Sequence, residues 1–183
     1  MRVLAAQLGV TDVVATLPPV QPDGRPPWDF LSLLHMKQSF ADAGFTVSVI
    51  EDAPPMDHIR LGLPGRDEEI DHVCELLTNM GAVGIPIWCY NWMAVFGWQR
   101  TSLTTPTRGG ALVTSYDHAL LADAPPTTAG RVPNEQLWES YAYFLERVVP
   151  VAERAGVRMA LHRDDLPSPR SGASPASSAA STP

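Results

Sequence analysis

Basic residues are scarce in this chain. Its 183 residues hold 13 Lys and Arg against 20 Asp and Glu, a net charge of −7. The few cations are thinly scattered, which argues against a nucleic-acid groove. An acidic surface does not exclude an anionic small substrate, because a local pocket can reverse the field. Cysteine is scarcer still. Cys74 and Cys89 are expected on a helix and a strand, build no disulfide framework, and read as reduced thiols of a cytoplasmic protein. The start, "MRVLAAQLGVTD", has one Arg and a very short apolar run, unlike a secretory leader. Residues 76–99 carry no charge, but Pro86, three glycines and two asparagines interrupt them. A buried barrel strand is expected there, not a membrane span. No Ser-His-Asp pattern, paired CxxC or HExxH occurs. Residues 104–117 hold Arg108 and a Gly pair, yet lack the spacing and strand–turn–helix context of a Walker or Rossmann fingerprint.

What is present is an ordinary globular balance, 45% hydrophobic and 18% charged, enough for one domain or part of a larger one. A unit repeats along it. "AAQLGVTDVVATL", "FADAGFTVSVIED", "LTNMGAVGIPIWCYN" and "AERAGVRMALHRDD" each run from helix-like residues through a Gly to an apolar run and then polar residues. Glycine just after a helix accepts the left-handed conformation that ends it, so Gly9, Gly44, Gly81 and Gly156 are expected at helix-to-strand turns. The runs 13–17, 46–50, 83–89 and 157–161 are nearly continuous in apolar residues, as strands covered on both faces of a parallel sheet are. Helices are expected over 28–43, 67–80 and 134–155. Apolar side chains recur there at helical spacing, with Pro150 bending the last of them. The glycine spacings are 35, 37 and 75 residues, the last about two units long. Residues 90–133 therefore read as a long loop, and such loops are usually functional.

Alternating strands and amphipathic helices mean an α/β fold: a partial (β/α)8 TIM barrel with about four parallel strands and their helices. It is expected over residues 1–167, followed by a disordered, low-complexity C-terminal tail at 168–183. In a parallel barrel the site lies where the strands end. Those ends carry Glu51 and Asp52, Asn91 and Trp92, and His162 with Asp164 and Asp165. His162 is a candidate metal ligand, since neutral imidazole is the commonest protein donor. A strand-end histidine capped by its neighbouring carboxylates is the simpler reading of the residues alone. Asn91 and Arg100 suit the hydroxyls and carboxylate of a small substrate, with Trp92 and Trp98 as walls; a core-covering loop is the alternative. Glu51 and Asp52 read as capping groups or acid–base groups, and Cys89 as packing.

"PIWCYNWMAVFGWQRT" together with "MALHRDD" resembles mannonate dehydratase, a family with a xylose-isomerase-like TIM barrel. "VIEDAPPMDHIRLGLPGRDEEI" and "TTPTRGGALVTSYD" extend the likeness over roughly residues 9–167. The resemblance implies a metal-dependent lyase. It would remove water from D-mannonate to give 2-dehydro-3-deoxy-D-gluconate in hexuronate breakdown, with Mn²⁺ or Fe²⁺ as cofactor. The family's strand-end histidine, in a His-Pro-Asp-Asp-Pro-Pro context, is a metal ligand, and His162 matches it. Arg163 and Leu166 replace two of those prolines, which is expected to re-aim Asp164 and Asp165 as substrate-binding groups. The remaining ligands and the catalytic acid and base would come from later strands. The resemblance therefore implies a truncated or frameshifted member, its tail being what GC-rich codons give in a shifted frame. The partner expected is a small-molecule sugar acid, with no nucleic acid and no membrane, and a homo-oligomer stays open. The competing functions are an inactive fragment and a sugar isomerase or epimerase of the same barrel type.

Overall fold

The computed structural model describes residues 2–95, 97, 100–121, 129–130 and 132–162. Trp98, Asp164, Asp165, the boundary expected at 167 and the tail 168–183 lie outside them. In chain order the elements are α1 (Arg2–Gln7), β1 (Asp12–Ala15), α2 (Phe30–Ala41), β2 (Thr46–Glu51), α3 (Asp57–Leu61), α4 (Arg66–Val83), β3 (Ile87–Tyr90), β4 (Ser102–Pro106), β5 (Leu112–Ser115), α5 (Asn134–Ala155) and β6 (Arg158–Leu161). β1, β2, β3 and β6 form one sheet in that order, every pair parallel. Four parallel strands and the helices between them are half of a (β/α)8 barrel.

Local chemistry explains the repeat. α2 starts where the Asp29 side chain accepts a hydrogen bond from the Leu31 amide at 2.9 Å, satisfying one of the amides a helix start leaves open. Past its last residue, Ala41, Gly44 (φ 83°) turns the chain, and the Phe45 amide reaches back to the Phe40 carbonyl at 2.9 Å. α5 repeats the device: Gly156 has φ 69°, and the Val157 amide bonds the Ala152 carbonyl at 2.9 Å. It also runs unbroken through Pro150.

The third turn is displaced from expectation. α4 continues past Gly81 and ends at Gly84 (φ 72°), whose following residue, Ile85, bonds the Met80 carbonyl at 2.9 Å. Lys37 of α2 seals that end, its Nζ donating to the Val83 carbonyl at 2.5 Å and the Gly84 carbonyl at 3.3 Å; a cation belongs at a helix C-terminus. The strand accordingly begins at Ile87, not at 83. Gly81 has a different reason to be glycine: a Cβ there would overlap the backbone carbonyl of Ala155. It lets α4 and α5 touch.

The region read as one long loop contains an antiparallel hairpin, β4 with β5. Its turn holds Gly109 (φ 69°) and Gly110 (φ 76°), a backbone that L side chains rarely adopt. The core lies between the sheet and α2, α4 and α5, where Leu33, Ile50, Leu76, Leu77, Met80, Trp88 and Phe144 are fully buried. Burial alternates along β1 and β3, correcting the expectation of cover on both faces. Ala15, Ile50 and Trp88 face the helices and are buried, while Val14 on the other face is exposed. No described helix is long and apolar enough to cross a membrane, and Cys74 and Cys89 are free thiols.

Candidate functional site

The parallel strands deliver their last residues to one end of the sheet. A cleft of about 610 Å³ opens there, and its lining includes Glu51 of β2 with Asp52 just after it, Cys89 and Tyr90 of β3 with Asn91 just after them, and His162 beyond β6. The cleft thus opens where a βα architecture gathers its strand ends.

His162 is held by its backbone, whose amide donates to the Tyr90 carbonyl at 2.7 Å and extends the β3–β6 ladder by one rung. Its Nε2 faces Glu51 Oε1 at 3.9 Å, both side chains about half exposed. That separation is too long for a hydrogen bond, so the pair interacts through charge only when the imidazole is protonated. Asp52 has a structural task. Its carboxylate accepts from the Leu17 amide at 3.0 Å and the Ala53 amide at 2.9 Å, tying the end of β1 to the end of β2. Its carbonyl accepts from Trp88 Nε1 at 2.7 Å. The capping role fits Asp52; Glu51 is the carboxylate turned toward the histidine.

Arg60 is the residue that the sequence reading missed. It comes from α3, a five-residue helix pinned at both ends. The buried Glu69 of α4 accepts from the Ile59 amide at 3.0 Å, and Gln136 of α5 donates to the Leu61 carbonyl at 2.6 Å. Gly62 (φ 65°) closes the helix. So fixed, the mostly buried Arg60 side chain lines the cleft, and its Nη2 donates to both the carbonyl and Oδ1 of Asn91 at 3.2 Å. Asn91 Oδ1 also accepts from the Met93 amide at 3.3 Å. With that oxygen engaged, the amide Nδ2 is what Asn91 can offer a ligand. The sequence signal for Arg60 was its place in "MDHIRLG", a lone cation between Ile59 and Leu61 just after a strand.

The other expected groups lie elsewhere. Arg100 is at the foot of the hairpin, its Nε donating to Thr114 Oγ1 at 3.2 Å, and it does not line the cleft. Trp92 is no pocket wall: it is buried against Tyr141 and Phe144, with ring centroids 4.7 and 5.2 Å away. Tyr90 borders the cleft, but burial, followed by its hydrogen bond with the Tyr141 hydroxyl at 3.0 Å, pushes its phenol well up. It stays protonated at neutral pH and cannot serve as a base there.

Cys89 sits beside Glu51 in the β2–β3 register. Burial, and then the Glu51 carboxylate, push its thiol up. Only the thiolate is nucleophilic, so alkylation of Cys89 by iodoacetamide at pH 8 should run at least about threefold slower than that of a free small-molecule thiol. Peptide-level mass spectrometry reads this directly, and a rate equal to the free thiol's would contradict it.

Whether this set suits a divalent ion depends on how many donors converge. A catalytic ion needs about three or more protein ligands. Among the described residues no group of three His, Cys, Asp or Glu side chains is placed to hold one. Among the described residues His162 and Glu51 supply two such donors, and two donors do not make a complete ion site.

The family model of D-mannonate dehydratase (UxuA) matches residues 3–132 and 127–176. This chain belongs to the D-mannonate dehydratase family. The mannonate dehydratase of Streptococcus equi subsp. zooepidemicus is 34% identical over 164 residues, covering 76% of this chain and 45% of that relative. The Thermotoga maritima mannonate dehydratase is 32% identical over 171 residues, covering 76% and 48%. The crystal structure of mannonate dehydratase from Streptococcus suis serotype 2 superimposes with a TM-score of 0.80 at 32% identity, over 94% of this chain and 50% of that one. The chain spans about half the length of the curated mannonate dehydratases it matches. D-psicose 3-epimerase from Clostridium cellulolyticum superimposes with a TM-score of 0.53 at 16% identity, over 87% and 44%. That is a likeness of fold alone.

Proposed function

We propose that this chain carries part of the substrate site of a mannonate dehydratase, a lyase that removes water from D-mannonate to give 2-dehydro-3-deoxy-D-gluconate. In this reading it works in the cytoplasm, in hexuronate breakdown, with Mn²⁺ or Fe²⁺. The observation that carries the proposal is the cleft at the strand ends, where Arg60, Asn91 and the His162–Glu51 pair meet in a member of this family. A sugar acid is an anion bearing many hydroxyls. The Arg60 guanidinium, whose Nη1 pairs with Asp57 at 3.4 Å, lines the cleft, and its planar donors suit a carboxylate. The Asn91 amide suits a hydroxyl. Arg60 therefore takes the carboxylate-binding role that the sequence suggested for Arg100.

Two donors do not hold an ion against water, so the 183-residue polypeptide should bind D-mannonate without converting it. Calorimetry is expected to give a Kd of about 1 mM, weakened about tenfold or more in Arg60→Ala by loss of a charge-assisted contact. A neutral hexose should not compete. Equal affinity in Arg60→Ala would overturn the carboxylate role. Turnover that survives His162→Ala would move the chemistry away from these strand ends.

A further inference from the structure

Arg60 stands on a helix that could not hold it unaided. The five residues of α3 are far fewer than a helix needs to be stable by itself, so its neighbours fix it. Both of its ends are mounted in the same way: a side chain from another helix hooks the backbone, and a glycine leaves room for a close approach. At the start, Glu69 Oε2 accepts from the Ile59 amide, while His58 Nδ1 lies 3.6 Å from Glu69 Oε1. A Cβ on Gly65 would come within 2.9 Å of that ring nitrogen. At the end, Gln136 hooks the Leu61 carbonyl, and a Cβ on Gly62 would come within 3.0 Å of the buried Ser140 Oγ. The start of α4, which carries Glu69, is itself tied to α5. The Tyr143 hydroxyl donates to Asp67 Oδ1 at 2.6 Å, and the Arg66 and Arg147 guanidinium carbons stand over its ring at 3.6 and 3.2 Å. The whole mount is built from α3, α4, α5 and the turns between them.

We propose that Glu69 is a positioning residue for the carboxylate of the substrate. It does not line the cleft. It acts through α3, by fixing where the Arg60 guanidinium stands. The inference rests on the reading of Arg60 as the carboxylate-binding group. A long side chain loses rotamer freedom when it grips a ligand, and one already held in place gives up less of it on binding. Arg60 is so held: its side chain is only 12% exposed, and its Nη2 is already engaged by Asn91. Glu69 is suited to the task, because it is buried in the first turn of α4, where the helix dipole favours a carboxylate. It thereby adds to affinity for the sugar acid without touching it.

Two measurements on the 183-residue chain test this. The first needs no sugar. Phenylglyoxal labelling, read by peptide mass spectrometry, should modify Arg60 about threefold faster or more in Glu69→Ala, with Arg147, 41% exposed, unchanged. The second is titration with D-mannonate followed by NMR. Glu69→Ala should weaken binding about fivefold, and adding it to Arg60→Ala should change nothing further, since it acts only through that guanidinium. Glu69→Gln keeps an acceptor oxygen and should bind within about twofold of the parent. Circular dichroism checks folding. If Glu69→Ala unfolds, Gln136→Ala, at the half-buried other end of the mount, should still speed the labelling of Arg60. Labelling that neither variant speeds would overturn the proposal. So would parental affinity in Glu69→Ala alongside a weakened Arg60→Ala. If Arg60→Ala itself keeps parental affinity, the carboxylate role fails and takes this one with it, whatever the labelling shows.

Discussion

Gly81→Ala should lower the melting temperature by roughly 5 °C or more, although alanine is the better helix former. In an exposed helix the change would gain up to about 1 kcal/mol. Here the new Cβ overlaps the Ala155 carbonyl, a backbone atom that cannot rotate away as a flexible side chain would. α4 and α5 must therefore separate along their contact, loosening the buried Leu77 and Met80 on one helix and Val148 and Ala152 on the other. Overpacking of this kind costs about 1–3 kcal/mol, and one kcal/mol moves the midpoint of a domain this size by about 2–4 °C. Gly81→Val should be worse. Gly84→Ala is the informative control. Its cost is backbone strain at φ 72°, about 1 kcal/mol, and its nearest neighbour is the movable Lys37 ammonium. Thermal melts followed by circular dichroism rank the three variants, and a Gly81→Ala protein as stable as the parent would refute the packing role.

The two glycines also show how far the sequence could be read. In "FADAGFTV" and "AERAGVRM" a single glycine follows the helix, and there the expected turn and the observed left-handed residue coincide. "NMGAVGIP" holds two glycines three residues apart. Which one ends the helix depends on α5, a segment more than fifty residues downstream whose approach no local pattern reveals. The same limit hid Arg60. α3 is one turn long, too short to show periodicity, and it is fixed by Glu69 and Gln136 from two other helices. His162 and Glu51 were legible because strand order alone brings strand ends together. Arg100 was misplaced because the turn that carries it away is a hairpin, and its alternation is weak in a run of threonines. The exposure of Val14 was illegible for a different reason: apolar runs report what a strand is suited to meet, not what meets it.

Trp88→Ala is expected to be the most damaging single substitution. Trp88 is fully buried on the helix side of β3, stacked on Tyr90 at 4.6 Å and edge-on to Phe144 of α5 at 6.4 Å. Truncating a buried aromatic to alanine costs about 3–5 kcal/mol. Domains of this kind have a total stability of only about 5–15 kcal/mol, so the variant should lose a large share of it, with a melting temperature lowered by roughly 6–20 °C. Trp88→Phe separates the two things this side chain does. It keeps most of the ring contact but removes the 2.7 Å hydrogen bond to the Asp52 carbonyl, leaving that acceptor unmet at a cost of about 1–3 kcal/mol. The loss falls on the strand end that carries Glu51. Asp52 joins that end to β1 through the Leu17 amide, so releasing its carbonyl frees the cleft's floor before it frees the core. Hydrogen exchange of Trp88→Phe should show faster exchange at Leu17 and Ala53, with amides of α4 at Leu76 and Leu77 unchanged relative to the global stability. Uniform acceleration across all of these sites would mean that Trp88 only fills space and does not hold the site.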